Sequence, residues 1–302
     1  YEQRLIMRNR RHRYNIHGLI LCGLVFFVIA ATAFCMAANS KEAEREQKRI
    51  EAEKKLAAEK KEEEAKAEAA RKEAERAASF AVQPGVPAGT LEADMNRKVV
   101  YLTFDDGPSE NTGKILDILK QYGVKATFFI TGSNAEQRSF IKQAYEAGHT
   151  IGLHTYSHDY SEVYASEEAY FADLEKIGQV AKEQIGYVPC FIRFPGGSSN
   201  VVSAKYKKGI MSSLVEKVQE KGYQYYDWNV DSADGAGCGK DEIEANAKTD
   251  QYHHAVILLH DSRTKDATVE ALPGIIEYYQ GLGYEFQAID RECFVSHHAI
   301  LN

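Results

Sequence analysis

VVYLTFDDGP, residues 99–108, runs six apolar or β-branched residues straight into two adjacent carboxylates and a Gly-Pro turn. The run reads as a strand over 99–104, with Asp105 and Asp106 at its end. Working outward, helical and strand patterns alternate: helices over 112–122, 136–147, 166–185 and 202–221, and strands over 126–131, 151–154, 190–194, 225–228, 256–259 and 285–288. Repeated strand–helix order implies parallel strands, in a barrel or an open sheet, and pattern alone does not separate the two. In either architecture chemistry gathers where strands end, so the polar residues after each apolar run come first.

Five strand ends carry them. Asp105-Asp106-Gly107-Pro108 closes the first, and adjacent acids sharing a buried site need a cation or a proton to relieve their repulsion. His154-Thr155-Tyr156-Ser157-His158 follows another, spaced so that one helical turn brings both imidazoles to one side. One carboxylate and two imidazoles make a three-ligand catalytic zinc site with an open position for water. The others are Arg193-Phe194-Pro195-Gly196-Gly197, Asp227-Trp228-Asn229-Val230-Asp231 and Leu258-Leu259-His260-Asp261. Taken singly each has an ordinary reading: a surface turn, chance histidines, an ion-pairing arginine, a core tryptophan, a strand-end histidine.

Everything before this region differs in composition. Residues 18–38 are uncharged and mostly apolar, long enough to cross a membrane as a helix, and Arg4, Arg8, Arg10, Arg11 and Arg13 precede them. That order predicts a cytoplasmic basic tail over 1–17, a transmembrane helix over 18–38 and an outer location for the rest, a cleaved signal peptide being the alternative. Residues 39–78 are built from Glu, Lys, Arg and Ala, with i,i+4 pairs such as Glu44 with Lys48 and Glu62 with Lys66. They read as a solvated helical spacer reaching on the order of 50 Å, or as a charged disordered linker of similar reach. Residues 79–93 read as a linker and 94–302 as the globular domain. A net +4 over residues 1–15 and a balanced 12 acids against 12 bases over 41–78 leave −11 of the total −7 on residues 79–302. So acidic a domain has no strong electrostatic attraction to nucleic acid. Outside the apolar segment Cys190, Cys238 and Cys293 are odd in number, and no pairing follows from the sequence.

In order on one stretch, the five motifs resemble those of the carbohydrate esterase family 4 polysaccharide deacetylases, whose shared unit is the NodB homology domain. The resemblance spans residues 98–287 and implies an α/β fold, a distorted (β/α) barrel with its site at the C-terminal rim of the strands. It implies Asp105 as catalytic base, Asp106, His154 and His158 as ligands of a divalent metal, zinc first among them, and Arg193 as the residue orienting the base. It further implies His260 as catalytic acid with Asp227 as its tuning partner, and Trp228 and Leu258 as the lining of an acetyl-methyl pocket. Many members place a tyrosine where Gly196 stands, its backbone N–H helping the oxyanion; the glycine keeps that donor in a freer loop. An outward-facing enzyme on a membrane spacer meets peptidoglycan first, so its N-acetylglucosamine is the leading substrate expectation. An acetylxylan esterase or chitin oligosaccharide deacetylase stands second, and a non-catalytic wall-binding module is the alternative of another class.

Overall fold

The computed structural model describes the backbone of residues 2–302 and the side chains of residues 22–302. The expected basic tail over 1–17 therefore has its side chains outside the described residues. Two units emerge, residues 1–73 and 74–302. The first belongs to one helix, α1 (Glu2–Phe80). Among the described residues it is the one helix long and apolar enough to cross a membrane. Its charged part carries the expected ladder of exposed i,i+4 ion pairs, including Glu44 with Lys48 at 2.7 Å and Glu62 with Lys66 at 2.6 Å.

The second unit is a parallel α/β half-barrel. Its elements, in chain order, are β1 (Val99–Asp105), α2 (Glu110–Tyr122), β2 (Ala126–Ile130), α3 (Ser139–Glu146), β3 (Thr150–Leu153), α4 (Tyr160–Val163), α5 (Glu167–Ile185), β4 (Phe191–Ile192), α6 (Ile210–Glu220), β5 (Gln224–Tyr225), β6 (Val230–Asp231), α7 (Lys240–Ala247), β7 (His254–His260), α8 (Asp266–Gly281) and β8 (Glu285–Phe286). Strands lie in the order β5-β4-β3-β2-β1-β7-β6, with β8 paired to the start of β1. Every named pairing is parallel, as the alternation predicts.

β1 is buried along its whole length because both of its faces are covered. Val100, Leu102 and Phe104 pack into the larger apolar cluster with the helices, whereas Val99 and Tyr101 join a smaller cluster on the other face. The period of two then places Thr103 and Asp105 on that same inner line. Local signals set the helix ends: Ser109 forms a capping box at the start of α2, Ser166 caps α5, and Gly123 and Gly186 end them in the left-handed conformation.

Two expectations change. Residues 79–93 are not a free linker: the Val82 N–H donates to Val188 O (2.9 Å), the Cys190 N–H to Phe80 O (2.8 Å) and the Val295 N–H to Thr90 O (2.8 Å). Pairing satisfies backbone groups that a strap lying on the domain would otherwise bury unbonded. The apolar run over 225–228 is also not one strand, since β5 ends at Tyr225 on one side of the sheet and β6 enters beside β7 on the other. All three cysteines of the second unit are free, with Cys190 and Cys293 buried.

Candidate active site

The sheet register brings together the residues expected as base and acid: Asp105 ends β1 opposite His260, which ends β7, and Thr103 and Leu258 face each other one step earlier on the same line. Asp105 is buried, and burial pushes its carboxyl up while the charges of Arg193 and His260 pull it back without cancelling the rise. Arg193, itself fully buried, donates to Asp105 Oδ1 (2.9 Å), Thr103 Oγ1 (2.7 Å), Tyr226 O (2.8 Å) and Asp227 O (3.2 Å). Its guanidinium also sits 4.4 Å from the centre of the Phe129 ring. The guanidinium, fixed by these other bonds, anchors the carboxylate through Oδ1.

Beside this pair, ligand atoms of Asp106, His154 and His158 all lie within 4.8 Å of one another. Asp106 Oδ1 is buried without a hydrogen-bond partner, 3.6 Å from His154 Nε2 and 3.3 Å from His158 Nε2. His154 Nδ1 lies 2.8 Å from the Arg193 carbonyl, which can only accept, so Nδ1 holds the proton and the Nε2 lone pair faces the carboxylate. Burial, with the His158 ring beside it, pushes the His154 imidazole down to about 3, so it is neutral at physiological pH. An orphaned carboxylate oxygen facing an imidazole lone pair is a donor set that fits a divalent cation.

The two histidines do not share a helical turn, as their spacing suggested. They flank an irregular loop in which Thr155 (φ 93°) and His158 (φ 51°) are left-handed. Asp173 of α5 accepts the backbone N–H groups of Tyr156 and Ser157 and holds that loop.

The expected partner of His260 is corrected. His260 Nδ1 is 2.7 Å from Asp234 Oδ1, its backbone N–H donates to Asp234 Oδ2 (2.7 Å), and Thr268 donates to the same carboxylate (2.8 Å). Asp227 instead accepts the Ser198 N–H (2.8 Å), the Ser198 hydroxyl and the His298 N–H (2.8 Å). Topology is the reason: Asp227 follows β5, beside β4 and its loop, whereas Asp234 follows β6, which pairs with β7. Burial alone would lower the His260 pKa, but the Asp234 hydrogen bond and charge, with Asp105 and Asp106 adding theirs, push it up to about 9. Asp234 carries no motif signal; only its position just after the β6 Val-Asp pair could have marked it.

The three expected pocket residues lie around this centre. Leu258 is buried on the inner line of β7. Trp228 is half-buried, its ring 5.6 Å from the Arg193 guanidinium and packed on Gly197. Gly196 has φ 76°, and a Cβ there would lie 2.5 Å from the Tyr160 hydroxyl, so a side chain at this position would strain the backbone and push the end of Tyr160 aside. The Tyr160 ring in turn lies edge-on to His158, centroids 6.0 Å apart.

The strand ends of the parallel half-barrel thus hold a buried carboxylate beside an imidazole and a three-donor set that fits a divalent cation, an arrangement suited to a hydrolase. The sequence model of the polysaccharide deacetylase family matches residues 92–211. A peptidoglycan-N-acetylglucosamine deacetylase of Bacillus cereus is 33% identical over 204 residues, covering 65% of this chain and 71% of that one. The crystal structure of the catalytic domain of a peptidoglycan N-acetylglucosamine deacetylase from Eubacterium rectale aligns with a TM-score of 0.68 and 39% identity, over 70% of this chain and 98% of that domain. A family 4 carbohydrate esterase from Streptomyces lividans, solved with acetate, aligns with a TM-score of 0.52 and 28% identity over 63% and 91% of the two chains. The chain belongs to the polysaccharide deacetylase family, carbohydrate esterase family 4 with the NodB homology fold, and is a hydrolase.

Proposed function

We propose that this chain is a membrane-anchored, zinc-dependent deacetylase that removes the N-acetyl group from N-acetylglucosamine of peptidoglycan outside the cell. One observation carries the reading: Asp105, held by Arg193, and His260, held by Asp234, end neighbouring strands beside the Asp106, His154 and His158 donor set. The peptidoglycan deacetylases of Bacillus cereus and Eubacterium rectale support the substrate. The apolar stretch of α1, preceded in sequence by five arginines, supports anchoring with the second unit outside.

Asp106, His154 and His158 are the ligands. A divalent ion held there supplies Lewis acidity to the acetyl carbonyl and to a water. Asp105 takes the proton of the attacking water; its raised pKa strengthens it as a base, and Arg193 aims it. The Gly196 N–H is assigned to the developing oxyanion, and Leu258 and Trp228 to the acetyl methyl. His260, an imidazolium at neutral pH, protonates the leaving nitrogen. One water is consumed, the amide C–N bond breaks, and acetate and a free amine leave.

The test is acetate and amine release by the full chain in detergent, offered purified peptidoglycan and acetylated xylan, with a chelator and then with zinc restored. Amine release from peptidoglycan that chelation abolishes and zinc restores is the expected result. Acetate from xylan alone would move the substrate to an ester, and silence on both would leave a non-catalytic wall-binding module.

A further inference from the structure

Between His154 and His158 the backbone passes through conformations that L-residues rarely adopt. Thr155 is β-branched at φ 93°, its hydroxyl buried without a partner, and His158 itself is at φ 51°. Such a backbone persists only where its surroundings over-determine it. The Gly132 N–H donates to the Tyr156 carbonyl (2.9 Å), and beyond that backbone tie the loop is held by one side chain. Asp173, buried on α5, turns its carboxylate to two consecutive N–H groups, Oδ1 to Tyr156 and Oδ2 to Ser157 (3.0 Å). Successive N–H groups converging on an anion form a nest, here filled by a carboxylate from the neighbouring helix. These two hydrogen bonds engage both of its oxygens.

We propose that Asp173 is a positioning residue for the metal centre: by clamping the Tyr156 and Ser157 amides it sets the separation and aim of the His154 and His158 imidazoles. The inference rests on the assignment of Asp106, His154 and His158 as metal ligands. Among the described residues neither imidazole shares a hydrogen bond or ion pair with Asp173, so the effect passes through the backbone. The alternative is that Asp173 only ties α5 to the loop, in which case its loss lowers stability and leaves the metal site intact.

The two are separated by zinc affinity, measured on the full chain in detergent by competition with a chromophoric chelator, alongside thermal unfolding of the metal-free protein and the visible absorption of the cobalt-loaded protein. Asp173→Ala is expected to weaken zinc about 10–100-fold, the range for partners that orient metal ligands, and to alter the cobalt spectrum. Asp173→Asn, similar in shape and retaining one acceptor oxygen, is expected to fall between it and the wild type, and it serves if the alanine variant does not fold. Zinc affinity within about twofold of wild type in Asp173→Asn, with an unchanged cobalt spectrum and a lower melting temperature, overturns the proposal while leaving the metal site standing. A wild-type chain that binds no zinc or cobalt overturns both.

Discussion

The same chemistry, a cation beside a carboxylate, does different work in the two units. Glu44 and Lys48 meet at 2.7 Å on α1 with side chains 65% and 73% exposed; Asp105 and Arg193 meet at 2.9 Å with side chains 3% and 0% exposed. In water the pair is screened and contributes about 0.3–0.5 kcal/mol. In the interior both groups have surrendered hydration, so removing one partner strands the other at about 3–5 kcal/mol. The charged part of α1 therefore carries many replaceable pairs, whereas the site has one irreplaceable pair fixing the carboxylate proposed as base.

Four variants press on that contrast. Arg193→Met should lose the most, about 3–5 kcal/mol in chemical denaturation, and turnover with it; a loss below about 1 kcal/mol would mean that Asp105 is not dependent on its partner. Asp234→Asn should cost about 10²-fold or more in kcat/KM. It should also move the alkaline fall of the pH profile, which follows the His260 pKa of about 9 in the wild type, to lower pH. The stability sign is fixed by the raised imidazole pKa. The wild-type advantage over Asp234→Asn should be full below about pH 6.5, where unfolded histidine is also protonated, and should shrink as pH rises through about 9. Below that window it should fade again in acid as Asp234, whose own pKa is lowered on balance by His260, takes up a proton.

Asp227→Asn sharpens the correction of the acid's partner. It should cost about 1–3 kcal/mol of stability through the Ser198 and His298 hydrogen bonds, with no displacement of the alkaline limb. A displaced limb would return Asp227 to His260. Smallest of all, Lys48→Ala should change stability by less than about 0.5 kcal/mol and leave turnover alone, as circular dichroism and an activity assay would show.

Motifs were legible where function is local in sequence. Asp105 and Asp106 are adjacent, His154 and His158 are four apart, and Leu258 and His260 share a strand face, so these strand-end residues could be picked out in the sequence, their roles coming from the family resemblance. What was not legible lies between elements. Asp234 reaches His260 only because β6 docks on β7, and Asp173 reaches Tyr156 and Ser157 only because α5 folds back over β3. Asp227, set directly after an apolar run, had the appearance of a strand-end acid; β5 stops two residues earlier and on the far side of the sheet. The i,i+4 histidine spacing likewise fitted a helix, and left-handed Thr155 and His158 replaced it with a loop. Length and periodicity carried the parallel order, because buried parallel strands must be joined by helices whatever closes the sheet.

The Tyr160 hydroxyl, seated where a Cβ on Gly196 would begin, ties the histories of two positions together. A side chain at 196 meets two costs, the tyrosine's hydroxyl end having to swing aside and the left-handed backbone being one that glycine adopts most readily. Where position 160 is smaller the first cost disappears and only that of the backbone remains. Substitutions at these two sites should therefore be epistatic, a side chain at 196 costing less once 160 is smaller.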